Sequence, residues 1–511
     1  MNICLSLLTL LSVLLLGVLP ASAQTTGSTG GGQPFDNRQP TLAIQYIIAL
    51  QGIFPFSDGS GIGEADRSTP YLAEIRPVAF NSPIPVGWTN CGGQTLSISQ
   101  NQALSFLLGT NYGGNGTTTF QLPNLLGRVP IGAGQGPGLP NYSLGQTAGV
   151  EQLTLATTNL PSHVHSTPGG NTGATGNGDA FNNLQPTLAL NFLITENGEI
   201  MMFAGNFAIS GWALCDGSTL NIADNTNLFN TIGTTYGGDG VTTFKLPDLR
   251  GRTPVSSGQR PGASAYALGQ INGTDSVTLT SDLMPAHTHT LAGGNTGSTG
   301  GSAAFDNRQP TLAMKLLVES AGSFPPSFSP FGGEVRLIAG NAATGLGADW
   351  VATDGTLYPV SSYPNLYSLL GMAYGGNGNT TFAVPDLRGV VAVGLGQGTG
   401  TSSYVLGQFA GQESVTLTTN QMPAHTHSAS GVSSVPPPLL NNVTISSGQF
   451  RFAFTNTAGQ SFTVLATTNV ALSVSNWTVL GSPIEGPSGQ FQFTDPQTTN
   501  NAKHFYRVRW P

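Results

Sequence analysis

One turn sequence occurs three times in the chain, and its second version reads Tyr236-Gly237-Gly238-Asp239-Gly240-Val241-Thr242-Thr243-Phe244. Tyr112-Gly113-Gly114-Asn115-Gly116 and Tyr374-Gly375-Gly376-Asn377-Gly378 also lead into Thr-Thr-Phe. Glycine tolerates the positive φ angles of a tight turn, and the residues that follow favour a β-strand. Long-range repetition of such a pattern predicts tandem modules.

Other landmarks recur in the same register around this turn. They keep the same two spacings along the chain: Trp88, Trp212 and Trp350; Pro123, Pro247 and Pro385; His163, His287 and His425. Each module reads as a Gln-Pro-Thr-Leu-Ala segment, an apolar strand, a Trp turn, a short helix, the glycine turn and a terminal histidine pair. In the first helix we expect Leu104, Leu107 and Leu108 on one face and Gly109 in a left-handed conformation after the last turn.

Shifts in composition divide the chain into seven predicted segments. These are a signal peptide at 1–23, a glycine-rich leader at 24–34, modules at 35–170, 171–298 and 299–432, a proline-rich linker at 433–438, and a C-terminal domain at 439–511. Glycine-rich stretches such as 293–300 predict flexible, solvated linkers between the modules. Apolar and polar residues alternate in the last segment, which predicts a small antiparallel β-sandwich. The fold class is therefore mainly β with short helices.

The composition excludes several classes of protein. Charged residues make up only 8% of the chain, whereas 70 glycines and 34 prolines interrupt long helices. No cluster of Lys and Arg is present to displace counterions from a nucleic acid. After the leader, no apolar segment is long enough to span a bilayer as a helix.

The N-terminus resembles a secretory signal. An apolar run from Ile3 to Leu19 is followed by Ala21-Ser22-Ala23, a small-x-small cleavage pattern. The residues before the run contain no Lys or Arg, and a retained membrane anchor is the alternative. We predict export, with the mature protein extracellular or on the cell surface.

Two cysteines follow the leader, Cys91 and Cys215, at matching places in the first two modules. The third module has Thr353 at this place. A buried small side chain is consistent with all three modules, and a Cys91–Cys215 disulfide is the alternative.

The order of these motifs resembles the phage tail collar domain, whose bacterial members are often labelled microcystin-dependent proteins. Residues 199–290 carry the whole series, including Pro247-Asp248-Leu249-Arg250-Gly251-Arg252. The first module departs from it with Asn124 in place of the Asp, and the third has Val390 in place of the second Arg. The resemblance covers roughly residues 35–430.

The resemblance implies a trimer and a metal. In the family, three chains of a short tail fibre interweave near its receptor-binding end, and one His-x-His pair from each chain binds an axial metal. Six of the seven histidines here form such pairs: His163/His165, His287/His289 and His425/His427. Residues i and i+2 of a strand point to one face, so each pair can present two imidazoles together.

The expected arrangement is an intramolecular pseudo-trimer, in which one chain supplies all six histidines to a single zinc-like transition metal ion. It is favoured over a homotrimer. The alternatives are a site formed between separate chains, and histidines that hold no metal.

No catalytic motif is recognisable: the Gly-x-Ser-x-Gly elbow, the His-Glu-x-x-His helix and the Walker lysine are all missing from the sequence. We assign structural roles to the recurring charged residues: inter-module pairing for Glu74, Glu199 and Glu334, and local pairing for Asp248–Arg250 and Asp386–Arg388. The Gly-Gly-Asp-Gly turns lack calcium-loop spacing.

The sequence thus predicts an exported, non-enzymatic structural or binding protein. An adhesin or fibre component that recognises a cell-surface glycan or protein is the main interpretation. A component of a phage tail or of a phage-tail-like contractile injection particle is the alternative, and a secreted hydrolase is a remote third.

Overall fold

The computed structural model describes residues 24–56, 62, 69–167, 170–291, 294–320, 332–340, 349–429, 441–446, 449–456, 458–467, 476–495 and 505–509. The chain forms two compact units. The larger unit contains Thr25–His165 and Ala174–His427, and the smaller includes Ser166–Gly173 and Ser428–Pro511. The predicted signal peptide at 1–23 and the linker at 433–438 lie outside the described residues.

Three strands form the frame of each module. The long strand spans Thr41–Ala49, Thr187–Ile194 and Thr311–Glu319 in successive modules. The ion-pair strand spans Glu74–Val78, Glu199–Phe203 and Val335–Ile338. The crossing strand spans Val129–Gly132, Thr253–Ser256 and Val391–Gly394. The longest strand of each module therefore begins within its Gln-Pro-Thr-Leu-Ala segment. The sequence pattern alone did not predict this strand.

Strand pairing joins the three modules in a cycle. Each long strand pairs antiparallel with the ion-pair strand of its own module. It also pairs in parallel with the crossing strand of another module: the second with the first, the third with the second, and the first with the third. The third pairing joins the third module back to the first, so every module supplies a strand to the sheet of another module.

A short helix follows the Trp turn in each module. The helices are α1 (Gln102–Leu108), α2 (Thr226–Ile232) and α3 (Pro364–Leu370). Leu104, Leu107 and Leu108 of α1 are buried, as the spacing predicted. Gly109 after α1 has φ 54° and ψ −140°, so its φ is positive as expected but its ψ lies outside the left-handed helical region.

Short strands flank the Trp and glycine turns. They are Trp88–Asn90, Thr95–Ser97 and Thr119–Gln121; Ala213–Leu214, Thr219–Asn221 and Thr243–Lys245; Trp350–Ala352, Leu357–Pro359 and Thr381–Ala383. In the second glycine turn, Asp239 Oδ1 accepts backbone N–H groups of Val241, Thr242 and Thr243. A Cβ at Gly238 would lie 2.4 Å from Phe244 Cα, which explains the glycine. The Asp residue therefore shapes the turn.

The glycine-rich stretches differ from the prediction of flexible linkers. Thr29, Thr175 and Thr299 lie in these stretches and form antiparallel bridges with His425, His163 and His287 respectively. The backbone of the stretches is paired because the first histidine of each pair offers a free strand edge. The leader residue Thr29 thus pairs with the third module.

The C-terminal residues form two facing sheets. One contains Asn441–Ser446, Gln449–Thr455, Gln490–Thr494 and Ile484–Gly486, and the other contains Thr478–Gly481, Thr463–Thr467 and Phe505–Arg509. Phe452, Phe454 and Phe491 from the first sheet pack with Val464 from the second. Alternating residues supply this core, as the sequence predicted.

Cys91 and Cys215 are both buried and free, and burial raises the pKa of each thiol. Thr353 is buried at the same place and donates its hydroxyl to the Leu316 carbonyl at 3.0 Å. A disulfide between the two cysteines is therefore not formed. Within the part of the chain that the structure describes, no helix has the length and apolar character needed to cross a bilayer.

Candidate metal centre

All six paired histidines are buried together in the larger unit. His165, His289 and His427 are at most 1% exposed, and the first histidine of each pair is nearly as deeply buried. The first histidines sit on the strand bridges described above, so each pair projects from extended backbone. The terminal Pro-x-His-x-His motif of each module is thereby held in place by a glycine-rich stretch.

The three pairs converge on one point. The ring centroids of His163, His287 and His425 lie 5.1–5.2 Å from one another. Nitrogen atoms of five histidines lie within 4.8 Å of one another: His163, His165, His287, His425 and His427. The sixth, His289, has its ring 4.7 Å from those of His165 and His425. The predicted site residues are therefore brought together by the fold.

Main-chain carbonyls orient the rings. Nδ1 of His163, His287 and His425 lies 2.9–3.1 Å from the carbonyl oxygen of the proline two residues earlier. Nδ1 of His289 lies 2.8 Å from the Gly27 carbonyl. Because a carbonyl oxygen only accepts, Nδ1 carries the hydrogen in each of these rings, and the lone pair lies on Nε2. Metal-binding histidines in proteins are commonly oriented in this way.

The Nε2 atoms face each other at short range. His163 Nε2 lies 3.3 Å from His425 Nε2, and His165 Nε2 lies 3.2 Å from His287 Nε2. Among the described residues, buried His289 Nε2 has no hydrogen-bond partner. Lone pairs at this separation repel unless a cation or a proton lies between them. This arrangement fits a bound cation.

Burial favours the neutral form of four of the six imidazole rings. It lowers the pKa of His287 and of His425 to about 4, and it also lowers the pKa of His163 and His289. Neighbouring histidines lower these values further by charge repulsion. At neutral pH these four imidazoles are therefore in the form that ligates metals.

The cluster can hold a metal ion, and its chemistry favours a transition metal. Imidazole nitrogen suits zinc, copper, iron and nickel, whereas magnesium and calcium prefer oxygen. No carboxylate belongs to the cluster among the described residues. A metal bound by this donor set would tie together three modules distant in sequence.

The recurring glutamates lie in a second buried cluster, as predicted for inter-module pairs. Arg76 contacts Glu74 at 2.7 Å and Glu334 of the third module at 3.1 Å. Arg336 contacts Glu334 at 2.8 Å and Glu199 of the second module at 3.3 Å. The two arginines were not predicted from the sequence, although the repeated Glu-x-Arg at 74–76 and 334–336 was a usable signal.

The local charged pairs are confirmed as well. Arg250 and Asp248 are 3.0 Å apart, and Arg388 and Asp386 are 2.9 Å apart. Both pairs join residues two apart beside a turn, so they stabilise the turn.

Comparison with known protein families finds a family whose model matches this chain in three places. The model of the Phage Tail Collar Domain family matches residues 73–130, 198–254 and 333–392. One match falls in each module, which confirms the predicted resemblance and the number of copies. Comparisons with curated proteins and with solved structures give no match.

Proposed function

Because the chain carries three phage tail collar domains in tandem, we propose that it is a structural component of a phage tail fibre or of a phage-tail-like particle. In this role one chain replaces three: it forms an intramolecular pseudo-trimer closed by a metal. The collar domain is a structural part of phage tails and brings no catalytic role. We accordingly assign no enzymatic activity to the chain.

One observation carries the proposal. The strand pairing runs from module to module and returns from the third to the first, while the three histidine pairs meet at one point. A string of independent modules would leave each crossing strand as an unpaired edge, which is prone to non-native association. The closed cycle supports a protein that works as a single chain.

The proposed metal site uses His163, His165, His287, His289, His425 and His427. We propose one zinc-like ion per chain. Its contribution is to the free energy of unfolding, since an unfolded chain cannot preserve a site drawn from residues far apart in sequence.

The test is metal content by mass spectrometry and molar mass by light scattering on purified residues 24–511. We expect one transition metal ion in a monomer, lost in His287→Ala/His289→Ala. His504 is the only histidine outside the pairs, so His504→Ala is the matched control and should keep the metal. A metal-free monomer, or metal found only in a trimer of chains, would contradict the proposal.

A second candidate function rests on the leader. The apolar run and cleavage pattern in 1–23 favour export, which suits an adhesin that recognises a cell-surface glycan or protein better than a particle assembled in the cytoplasm. Cell fractionation separates the two. Protein in the medium or on the cell surface with its first 23 residues removed supports the adhesin, and full-length protein in purified particles supports the tail component.

A further inference from the structure

A ring of three asparagines lies inside the larger unit, away from the histidine cluster. Asn37, Asn183 and Asn307 occupy the same place in the three modules, and each is 0% exposed. Two residues before them, Phe35, Phe181 and Phe305 contact one another with ring centroids 5.5–5.7 Å apart. The asparagines therefore lie next to three buried aromatic side chains that contact one another.

A ring of glutamines follows on the other side. Gln39 Oε1 accepts the Gln309 backbone N–H at 3.1 Å, and Gln309 Oε1 accepts the Gln185 backbone N–H at 3.2 Å. In the first module the burial along residues 35–39 alternates, with Phe35, Asn37 and Gln39 inside and the residues between them partly exposed. This alternation is that of an extended chain, so the asparagine ring lies between the aromatic and glutamine rings.

Hydrogen bonds fix which end of each asparagine faces away from the main chain. Asn37 Nδ2 donates to the carbonyls of Val150 at 3.3 Å and Leu184 at 2.9 Å. Asn183 and Asn307 also each donate Nδ2 to two main-chain carbonyls, at 2.9–3.3 Å. Because both hydrogens of each amide are used by acceptors, swapping nitrogen and oxygen would break all of these bonds.

The three Oδ1 atoms are left without partners. All three are buried and accept no hydrogen bond from any described residue. Gln185 Oε1 is in the same condition. A buried polar atom without a partner destabilises the folded state, so four acceptors in one region point to something that satisfies them together.

The two unpartnered donors nearby have a separate explanation. Gln309 Nε2 donates to Thr253 Oγ1 at 2.8 Å. Strand register puts Val129 and Val391 at the corresponding places of the other modules, and valine has no acceptor. Gln39 Nε2 and Gln185 Nε2 therefore lose their partner through a substitution, whereas the acceptors form a ring that all three modules share.

We propose that this asparagine–glutamine ring binds a monovalent alkali cation. The oxygen atoms set the sign of the ligand, since a ring presenting Nδ2 groups would attract an anion instead. Neutral amide oxygens set its charge, because divalent calcium sites are usually built with carboxylates. Four acidic side chains beside the ring have partners of their own. Asp36 and Asp306 pair with Arg38 and Arg308 at 2.7 Å. Glu151 and Glu413 accept the hydroxyls of Tyr404 and Tyr266 at 2.8 Å.

The first test measures the melting temperature of residues 24–511 with the histidine site saturated with zinc. Potassium, sodium and rubidium chlorides are compared with choline chloride at equal ionic strength. A cation that binds only the folded state raises the melting temperature further with each tenfold rise in its concentration. Equal melting temperatures in alkali and choline salts would overturn the proposal.

Variants locate the effect. Gln185→Leu removes an acceptor whose side chain makes no hydrogen bond to the described residues, so it should fold and should weaken the dependence on alkali cations. Gln152→Leu changes an exposed glutamine and should leave that dependence unchanged. The same dependence in wild type and Gln185→Leu would place the cation elsewhere and overturn the assignment.

A second measurement needs no variant. Crystals grown with rubidium or thallium(I) should give an anomalous peak between the phenylalanine and glutamine rings, near the three Oδ1 atoms. Ordered water at this place without an anomalous signal would show that the acceptors are hydrated. That result would overturn the cation site and would leave the metal site of the histidines untouched.

Discussion

At three interfaces, here called seams, the long strand of one module pairs with the crossing strand of another. The three seams are built from equivalent strands but differ in their buried charges. At the third–first seam Arg76 reaches Glu334, and at the second–third seam Arg336 reaches Glu199. Strand register puts Met201 of the second module at the position that Arg76 and Arg336 occupy in the other two modules. The first–second seam therefore has no guanidinium to pair with the neighbouring carboxylate in this layer.

A second polar layer shows the same difference. Tyr404 donates its hydroxyl to Glu151 at 2.8 Å across the third–first seam, and Tyr266 donates to Glu413 at 2.8 Å across the second–third seam. At the first–second seam, Tyr142 makes no hydroxyl hydrogen bond to the described residues. Leu184 occupies the place of Arg38 and Arg308 of the other seams. Pro140 occupies the place of Ser402 and Ser264.

Joining three modules in one chain allows the three seams to differ in sequence. In a homotrimer one substitution changes every seam, because the interfaces are related by symmetry. In this chain each seam has its own sequence, so two seams hold an arginine–glutamate ion pair and a tyrosine–glutamate hydrogen bond that the first–second seam lacks among the described residues. We infer that the first–second seam is the weakest, and four experiments test this difference.

The largest effect is expected on removal of the metal proposed for the histidine cluster. Structural zinc contributes roughly 10–16 kcal/mol in zinc-finger peptides, more than any single seam contact. After chelation, hydrogen exchange should rise first in Val129–Gly132 and Thr187–Ile194, which pair across the first–second seam. A simultaneous rise in Thr253–Ser256 and Thr311–Glu319 would show that the seams are equally strong.

Arg336→Met is expected to reduce the free energy of unfolding by about 3–5 kcal/mol, because it removes the buried guanidinium that contacts both Glu199 and Glu334, of which Glu334 still contacts Arg76. Chemical denaturation measures the loss. Met201→Leu is the control at the equivalent position and should cost less than about 1.5 kcal/mol. Similar losses in both variants would mean that the buried charges do not distinguish the seams.

Tyr404→Phe should cost about 1.5–3 kcal/mol, the usual contribution of a hydrogen bond to a charged group. Tyr142→Phe removes the equivalent hydroxyl at the first–second seam and should change stability by no more than about 0.5 kcal/mol. Thermal unfolding of the two variants gives the comparison directly. Equal shifts in melting temperature would show that Tyr142 has a partner of equal strength.

Met201→Arg should have the smallest effect, a gain of about 1 kcal/mol or less. The buried cluster contains Glu74, Glu199 and Glu334 but only two arginines, so a third guanidinium has a carboxylate to pair with. The cost of removing that charge from water offsets most of the gain. Denaturant titration measures the change, and a clear loss of stability would show that the first–second seam has no room for the side chain.

Much of the fold follows from the sequence. The repeated Trp, Tyr-Gly-Gly and His-x-His landmarks predict three β-rich modules, and the buried leucines of α1 follow from helical spacing. The order of the motifs also predicts the family that the comparison supports. These features are local, because turn glycines, strand alternation and helical faces depend on residues close in the chain.

The site was predictable in part. The three histidine pairs stand out because they hold nearly all the histidine of the chain. Arg76 and Arg336 were missed, since a Glu-x-Arg pattern present in only two of the three modules reads as an exposed local pair until its neighbours are known. The glycine-rich stretches were misjudged for a similar reason: their composition is that of a linker, and only the partner strand edge orders them.

The number of modules, the order of their elements and the histidines able to ligate a metal can be read from the amino-acid sequence. The tertiary structure alone decided that the long strand of the first module pairs with the third, that all six histidines meet, and that three asparagine oxygens are buried without partners. The reason is physical. Local patterns record whether a side chain faces inward, whereas the identity of its neighbour depends on chain closure across hundreds of residues.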